Sequence, residues 1–349
     1  MNLIVLLVFA FGHFAADLAS GLAGNGQMNF SSLAPGRLAM LYNLLAFGIQ
    51  PLLGYGIDRL RCSKGAAVAG CLLMLGALLL ADLPREAVIL AGMGNALFHL
   101  GGGVAILRLF PGKAWPLGVF VGPGALGIAL SRSLGADYAV NVSSVFMLLF
   151  FVTILILTIR YKPEVPSGPA SPRITGAAAL VILLLFASTF IRSLVGLSLA
   201  FPWKVNTLLG TLLVVSAALG KMLGGWWADR GGRIRAPVLG LLLAAPLLAW
   251  GGQLPYAGVL GMLLFQSTMA ITLLAIYEQL PDYPALAFGV LCFGLWLGYP
   301  ASHLASRVLS LSPWAFLCLV LASCLAIWAG LKLGAQKQQA AEGEKELEE

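Results

Sequence analysis

The chain has little charge. Of its 349 residues, Lys, Arg, Asp and Glu make up 10%, against roughly 25% in soluble domains. So few ionisable side chains cannot cover the surface of a water-soluble protein of this size, which argues against a soluble enzyme. At 60% apolar residues, most of the chain is not disordered either, because disordered segments are apolar-poor and charge-rich. Five cysteines are present, Cys62, Cys71, Cys292, Cys318 and Cys324, with no CxxC pair; they read as small packing residues. The sequence has no HExxH element and no Gly-Lys-Ser/Thr phosphate loop. The triplet Gly101-Gly102-Gly103 continues an apolar helix and does not follow a strand, so an ATP-driven pump is disfavoured. No metal or cofactor site is expected. Met1 to Ala10 lacks a basic leader region and a cleavage site, so it reads as a retained membrane helix.

What the sequence has is long apolar runs that do not alternate. A spanning helix needs roughly 20 such residues. Twelve are expected, at 3–23, 35–57, 65–82, 87–108, 115–134, 138–160, 176–200, 205–228, 236–252, 255–275, 284–308 and 313–333. The fold class is therefore an all-α membrane protein. The segment Tyr161 to Thr175 holds four prolines in fifteen residues, which prevents a helix. It divides the chain into an N-terminal six-helix bundle (1–160), a linker (161–175) and a second six-helix bundle (176–334). Residues 335–349 read as a polar tail, disordered or a frayed helix.

Net charge is +7, and its distribution reports topology. With the N-terminus inside, fourteen Lys and Arg fall on the cytoplasmic side and five (Arg37, Arg85, Arg132, Lys204 and Arg307) on the other. This fits the positive-inside rule with both termini cytoplasmic in a plasma (cell inner) membrane. No basic stripe with stacking residues accompanies it, so nucleic acid is not a partner. Trp115, Trp203, Trp226, Trp227, Trp250 and Trp314 sit near helix ends, as an interfacial belt requires. Membrane lipids, protons and a small molecule are the expected partners of a monomer.

The halves repeat each other. Helix 2 ends in Gly54-x-x-x-Asp58-Arg59, and helix 8 in Gly225-x-x-x-Asp229-Arg230, followed by Gly232 and Arg233. The aspartates are 171 residues apart, about half the chain. Each Gly allows a close helix approach, and each Asp can face the positive end of a neighbouring helix. Together they form a latch between helices, where the plainer alternative is an ordinary basic loop. Gly225 to Arg235 resembles the loop signature of the major facilitator superfamily, and the first copy departs from it with Arg61 in place of a glycine. The resemblance implies two six-helix bundles that rock around a central cavity lined by helices 1, 4, 7 and 10. A narrower likeness is to the fosmidomycin-resistance branch of drug efflux carriers. It rests on Gly12-His13-x3-Asp17, Gln50-Pro51-Leu-x-Gly54-Tyr55, Phe98-His99-x-Gly101-Gly102 and Arg192-Ser193. Helix 5, with Gly118, Gly122, Pro123 and Gly127, looks like the antiporter motif of drug–proton exchangers, with Leu126 replacing one glycine.

Charge within hydrocarbon costs roughly 2.5–3.5 kcal/mol per residue on insertion scales, so each case needs a reason. His13 and Asp17 share one face of helix 1, a turn apart. They read as a proton-coupling pair or as a polar pair holding helix 1 to a neighbour. His99 on helix 4, with Asn95 one turn before it, is a further proton carrier or a packing residue. Arg192 on helix 7 can pair with Asp17, bind an anionic group or snorkel outward. Lys221 reads as snorkelling to the inner interface, His303 as structural, and Glu278 and Asp282 as part of a solvated turn. With the cavity helices that the resemblance implies, Gln266, Thr268 and Thr272 on helix 10 and Tyr42 and Asn43 on helix 2 join Asn95 and Arg192 as substrate-binding candidates. The leading expectation is a secondary transporter that exports a small organic, anionic compound in exchange for protons, as in multidrug efflux and antibiotic resistance. Uptake of a nutrient anion with protons, a lipid flippase and a non-transporting sensor are the alternatives. A membrane-embedded hydrolase is set aside for want of a Ser–His–Asp set.

Overall fold

The computed structural model describes residues 1–28, 35–80, 82–161, 174–308 and 312–348. Twelve membrane helices are present among them, and no strand. In the first half these are α1 (Asn2–Met28), α2 (Pro35–Asn43 continuing through Gln50–Leu60), α3 (Ser63–Leu78), α4 (Pro84–Leu109), α5 (Trp115–Leu134) and α6 (Tyr138–Thr158). The second half holds α7 (Gly176–Ser198), α8 (Thr207–Gly231), α9 (Arg235–Trp250), α10 (Pro255–Gln266 and Met269–Gln279), α11 (Pro284–Val308) and α12 (Pro313–Glu348). Eleven are long and apolar enough to cross a bilayer, and α3 is a shorter apolar helix. The linker expected at 161–175 falls almost wholly outside the described residues. Of the two readings of the tail, the structure has the helical one: α12 runs on to Glu348.

Local chemistry explains the breaks. A π turn, Leu44–Gly48, interrupts α2. Pro51 follows it, and a proline ring clashes with the carbonyl four residues earlier; the wider turn relieves that clash. Between the two parts of α10, the Ser267 hydroxyl donates to the Leu264 carbonyl at 2.6 Å and the Thr268 hydroxyl to the Phe265 carbonyl at 3.4 Å. Such bonds compete with the helical ladder. Helix starts are capped where a polar residue is at hand: Asn206 Oδ1 accepts from the Leu209 amide at 3.1 Å at the start of α8.

The two halves meet along α5 with α8 and along α2 with α11. Both seams depend on small residues, as membrane interfaces do. A Cβ on Gly54 would strike the Ala285 backbone, and one on Gly225 would strike Ala114 and Trp115. At that end of the bundle the duplicated aspartates cap helices of the opposite half. Asp58 Oδ1 accepts from the Ala285 amide at 3.1 Å and Oδ2 from the Leu286 amide at 2.8 Å, at the start of α11. Asp229 accepts from the Ala114 amide at 3.0 Å and the Trp115 amide at 2.9 Å, at the start of α5. Carboxylates at helix N-termini meet both free amides and the positive end of the dipole. Arg233 adds Glu278 at 2.7 Å and the Gly112 carbonyl. Glu278 is thus a latch partner and not part of a solvated turn. In the first copy, Arg61 adopts a left-handed φ of 53° where the resemblance has glycine.

Candidate functional site

Asp17 stands at the middle of α1 with His13 one turn away. The structure brings His99 of α4 against them. His13 Nε2 lies 3.4 Å from Asp17 Oδ2, His99 Nε2 lies 3.3 Å from Asp17 Oδ1, and the two Nε2 atoms are 2.7 Å apart. All three side chains are buried. Asn95 Nδ2 donates to Asp17 Oδ1 at 2.7 Å and to Ser20 Oγ at 3.2 Å. Tyr42 Oη donates to the same Ser20 hydroxyl at 3.0 Å. Asn95 and Tyr42 therefore support the acid cluster. Ser20 holds this network together, yet a serine in an apolar helix has no distinguishing sequence context. Room for the cluster comes from α5: a Cβ on Gly124 would overlap the His13 ring and the Asp17 carboxylate.

Arg192 lies across the molecule on α7, buried. Its guanidinium donates to Thr268 Oγ1, to Thr189 Oγ1 at 3.2 Å and to Thr272 Oγ1 at 3.3 Å. These partners are neutral hydroxyls, and Arg192 Nε is buried with no partner among the described residues. Asp17 is engaged elsewhere, so an Asp17–Arg192 pair does not form. Thr268 and Thr272 orient the arginine.

A cavity of about 440 Å³ runs between the halves. The cluster forms part of its wall on one side, and Lys221, Gln266 and Cys292 lie on the other. A second space of about 330 Å³ holds Arg192 and Asn43, and shares Phe47, Lys221 and Gln266 with the first. Lys221 thus faces the centre of the protein and does not snorkel. The main cavity reaches Arg132 and Leu213, about 25 Å along α5 and α8 from the Asp229 latch at 1.5 Å per residue. It extends toward the end remote from the latches. Phe120 and Phe288 pack edge to face beneath it, with ring centroids 6.3 Å apart. The helix 5 glycines divide between two tasks. Gly118 and Gly122 lie against α8, where Cβ atoms would meet Lys221, Met222 and Ala218, whereas Gly127 lies against Phe14 of α1. His303 is exposed and edge-on to Tyr299, with ring centroids 4.7 Å apart.

Two six-helix halves joined across a central cavity define the major facilitator fold. The chain matches the transporter FucP in its outward conformation with a TM-score of 0.74 at 12% identity, covering 95% of this chain and 99% of that one. It matches the human organic anion transporter MFSD10 with a TM-score of 0.66 at 15% identity, covering 93% and 99%, and a XylE variant with a TM-score of 0.70 at 14% identity, covering 96% and 98%. No protein-family profile matches the sequence, and no curated protein sequence does.

Proposed function

We propose that the chain is a secondary transporter that couples a small organic anion to protons by alternating access. One observation carries this reading. Arg192 is a buried permanent cation held, among the described residues, by neutral hydroxyls, and it adjoins a cavity system whose opposite wall bears Asp17, His13 and His99. Burying a charge without a counter-ion is costly, so the site favours a ligand that supplies one. Lys221, and Arg132 at the far end, add positive charge to the same space. The cluster is the proton carrier, since its carboxylate and two imidazoles are proton-accepting groups that line the cavity. We place the latches and both termini in the cytoplasm, on the strength of the basic-residue asymmetry. FucP is described as a fucose:proton symporter of E. coli and MFSD10 as an organic anion transporter, which accords with this class.

The sign of coupling follows from charge. Exchange, which the helix 5 motif implies, requires proton binding to weaken anion binding. Protonating the cluster adds positive charge to the cavity that Lys221 also lines and that adjoins the Arg192 space, which strengthens anion binding. Linkage is reciprocal, so the electrostatics favour cotransport, and export by exchange is the second reading. Proteoliposomes enclosing a pH dye decide between them, with a panel of labelled small carboxylates and phosphonates outside. Cotransport acidifies the lumen as the anion enters, and exchange makes it alkaline. Anion flux that leaves lumen pH unchanged would rule out proton coupling altogether.

A further inference from the structure

The three atoms at the centre of the cluster raise an accounting problem. With neutral imidazoles and an ionised Asp17, one N–H can lie between His13 and His99, and the accepting imidazole then turns its lone pair to an Asp17 oxygen, Oδ2 at 3.4 Å from His13 or Oδ1 at 3.3 Å from His99. A proton answers one or two of these lone pairs, whereas a metal ion between the three groups accepts a lone pair from each. Two imidazoles and one carboxylate are ligands for first-row transition metals, whereas calcium and magnesium take oxygen donors. Metal–ligand bonds of about 2.1 Å place neighbouring donors about 3.0–3.4 Å apart. The two His–Asp separations already fall there, at 3.3 and 3.4 Å, and the 2.7 Å His–His separation must open by a few tenths of an ångström. Gly124 leaves the space, and the cavity gives an entry path and open coordination positions.

We propose that His13, Asp17 and His99 form a binding site for one divalent transition-metal ion such as Zn²⁺ or Co²⁺. Sequence spacing hid it, because His99 lies 86 residues from His13 and neither carries a recognisable metal motif. Asn95 steadies Asp17 as an outer partner. Among the described residues, the Nδ1 atoms of both histidines are buried with no acceptor, and outer partners of that kind are worth about ten- to a hundredfold in affinity. The site therefore binds less tightly than one with those partners.

The test uses the full chain without a histidine tag, stripped with chelator and held in nanodiscs. Titration with ZnCl₂ and CoCl₂ is followed by calorimetry and by the visible absorption of Co²⁺. One ion per chain is expected, with a Co²⁺ spectrum of a nitrogen-ligated, low-symmetry site. His99→Gln and Asp17→Asn should each weaken binding at least about thirtyfold. His303→Gln, which changes the chain's third histidine outside the cluster, should not. No saturable binding to a folded wild-type chain overturns the site, and so does unchanged affinity in His99→Gln. If a variant fails to fold, the wild-type stoichiometry and Co²⁺ spectrum still decide. The result is read without transport, so metal binding can fail while proton-coupled flux stands, and the reverse.

Discussion

Asp17 and Arg192 solve the same problem in opposite ways. Asp17 gathers two imidazoles and the Asn95 amide, so groups that can answer its charge, once protonated, lie within the protein. Arg192 gathers hydroxyls and leaves its charge unanswered. The two therefore respond differently to substitution. Arg192→Ala removes charge-assisted hydrogen bonds worth roughly 1.5–3 kcal/mol each, so anion affinity should fall at least about tenfold in equilibrium binding, and Arg192→Lys should restore part of it by charge alone. Asp17→Asn mimics the protonated cluster, so it should retain or strengthen anion binding and abolish anion-driven movement of protons in proteoliposomes. Loss of binding in Asp17→Asn with intact binding in Arg192→Ala would reverse the assignment. Gly124 supplies a test of packing. Gly124→Ala forces a methyl into the His13 ring and the Asp17 carboxylate, and overpacking of this kind costs about 1–3 kcal/mol. Its thermal unfolding temperature should drop, whereas Gly56→Ala, which meets open space, should match the wild type.

Helix termini form the latches. Each aspartate binds two backbone amides at the start of a helix in the other half, so the bonds exist only while the halves are closed at that end. Removing Asp229 with Ala should cost this closed state roughly 2 kcal/mol, about a thirtyfold shift in the equilibrium between conformations. Spin labels on α5 and α8 beside the latch should report a wider distance population in Asp229→Ala, and an unaltered distribution would show that the latch carries no weight. Much of this was legible in the sequence. A hydrocarbon layer demands long apolar runs, so all twelve helices stood out, and a duplicated Gly-x-x-x-Asp-Arg is visible without coordinates. The cluster was half legible, because His13 and Asp17 are a turn apart whereas His99 reaches them only through packing. Lys221, Ser20 and Glu278 were misread or missed for one reason. Their roles depend on which way a helix faces, and helices this uniformly apolar show little sidedness. The π turn in α2 was hidden likewise, since its cause is a clash between Pro51 and its own helix.

At the scale of the whole molecule, the two ends of the cavity differ. The latch end is sealed by Asp58, Asp229 and the Phe120–Phe288 contact, while the cavity reaches Arg132 at the other. The latch amides belong to α5 and α11, the same helices that carry Gly124 beside the cluster and Phe288 beneath the cavity. α5 thus touches the cluster at one level and carries latch amides at another, and its two glycine faces lie against α1 and α8. A chain whose native cysteines are replaced, with Ala217→Cys on the cavity wall, separates the two ends. An impermeant thiol reagent should label it only from the side away from the latches. Adding Asp58→Asn and Asp229→Asn should expose it from the latch side as well, with labelling there rising at least about tenfold, since each lost charge-assisted contact shifts the balance by a kcal/mol or more. Labelling confined to the original side in the triple variant would mean that the halves do not rock about these contacts, and the transport cycle would need a different moving part.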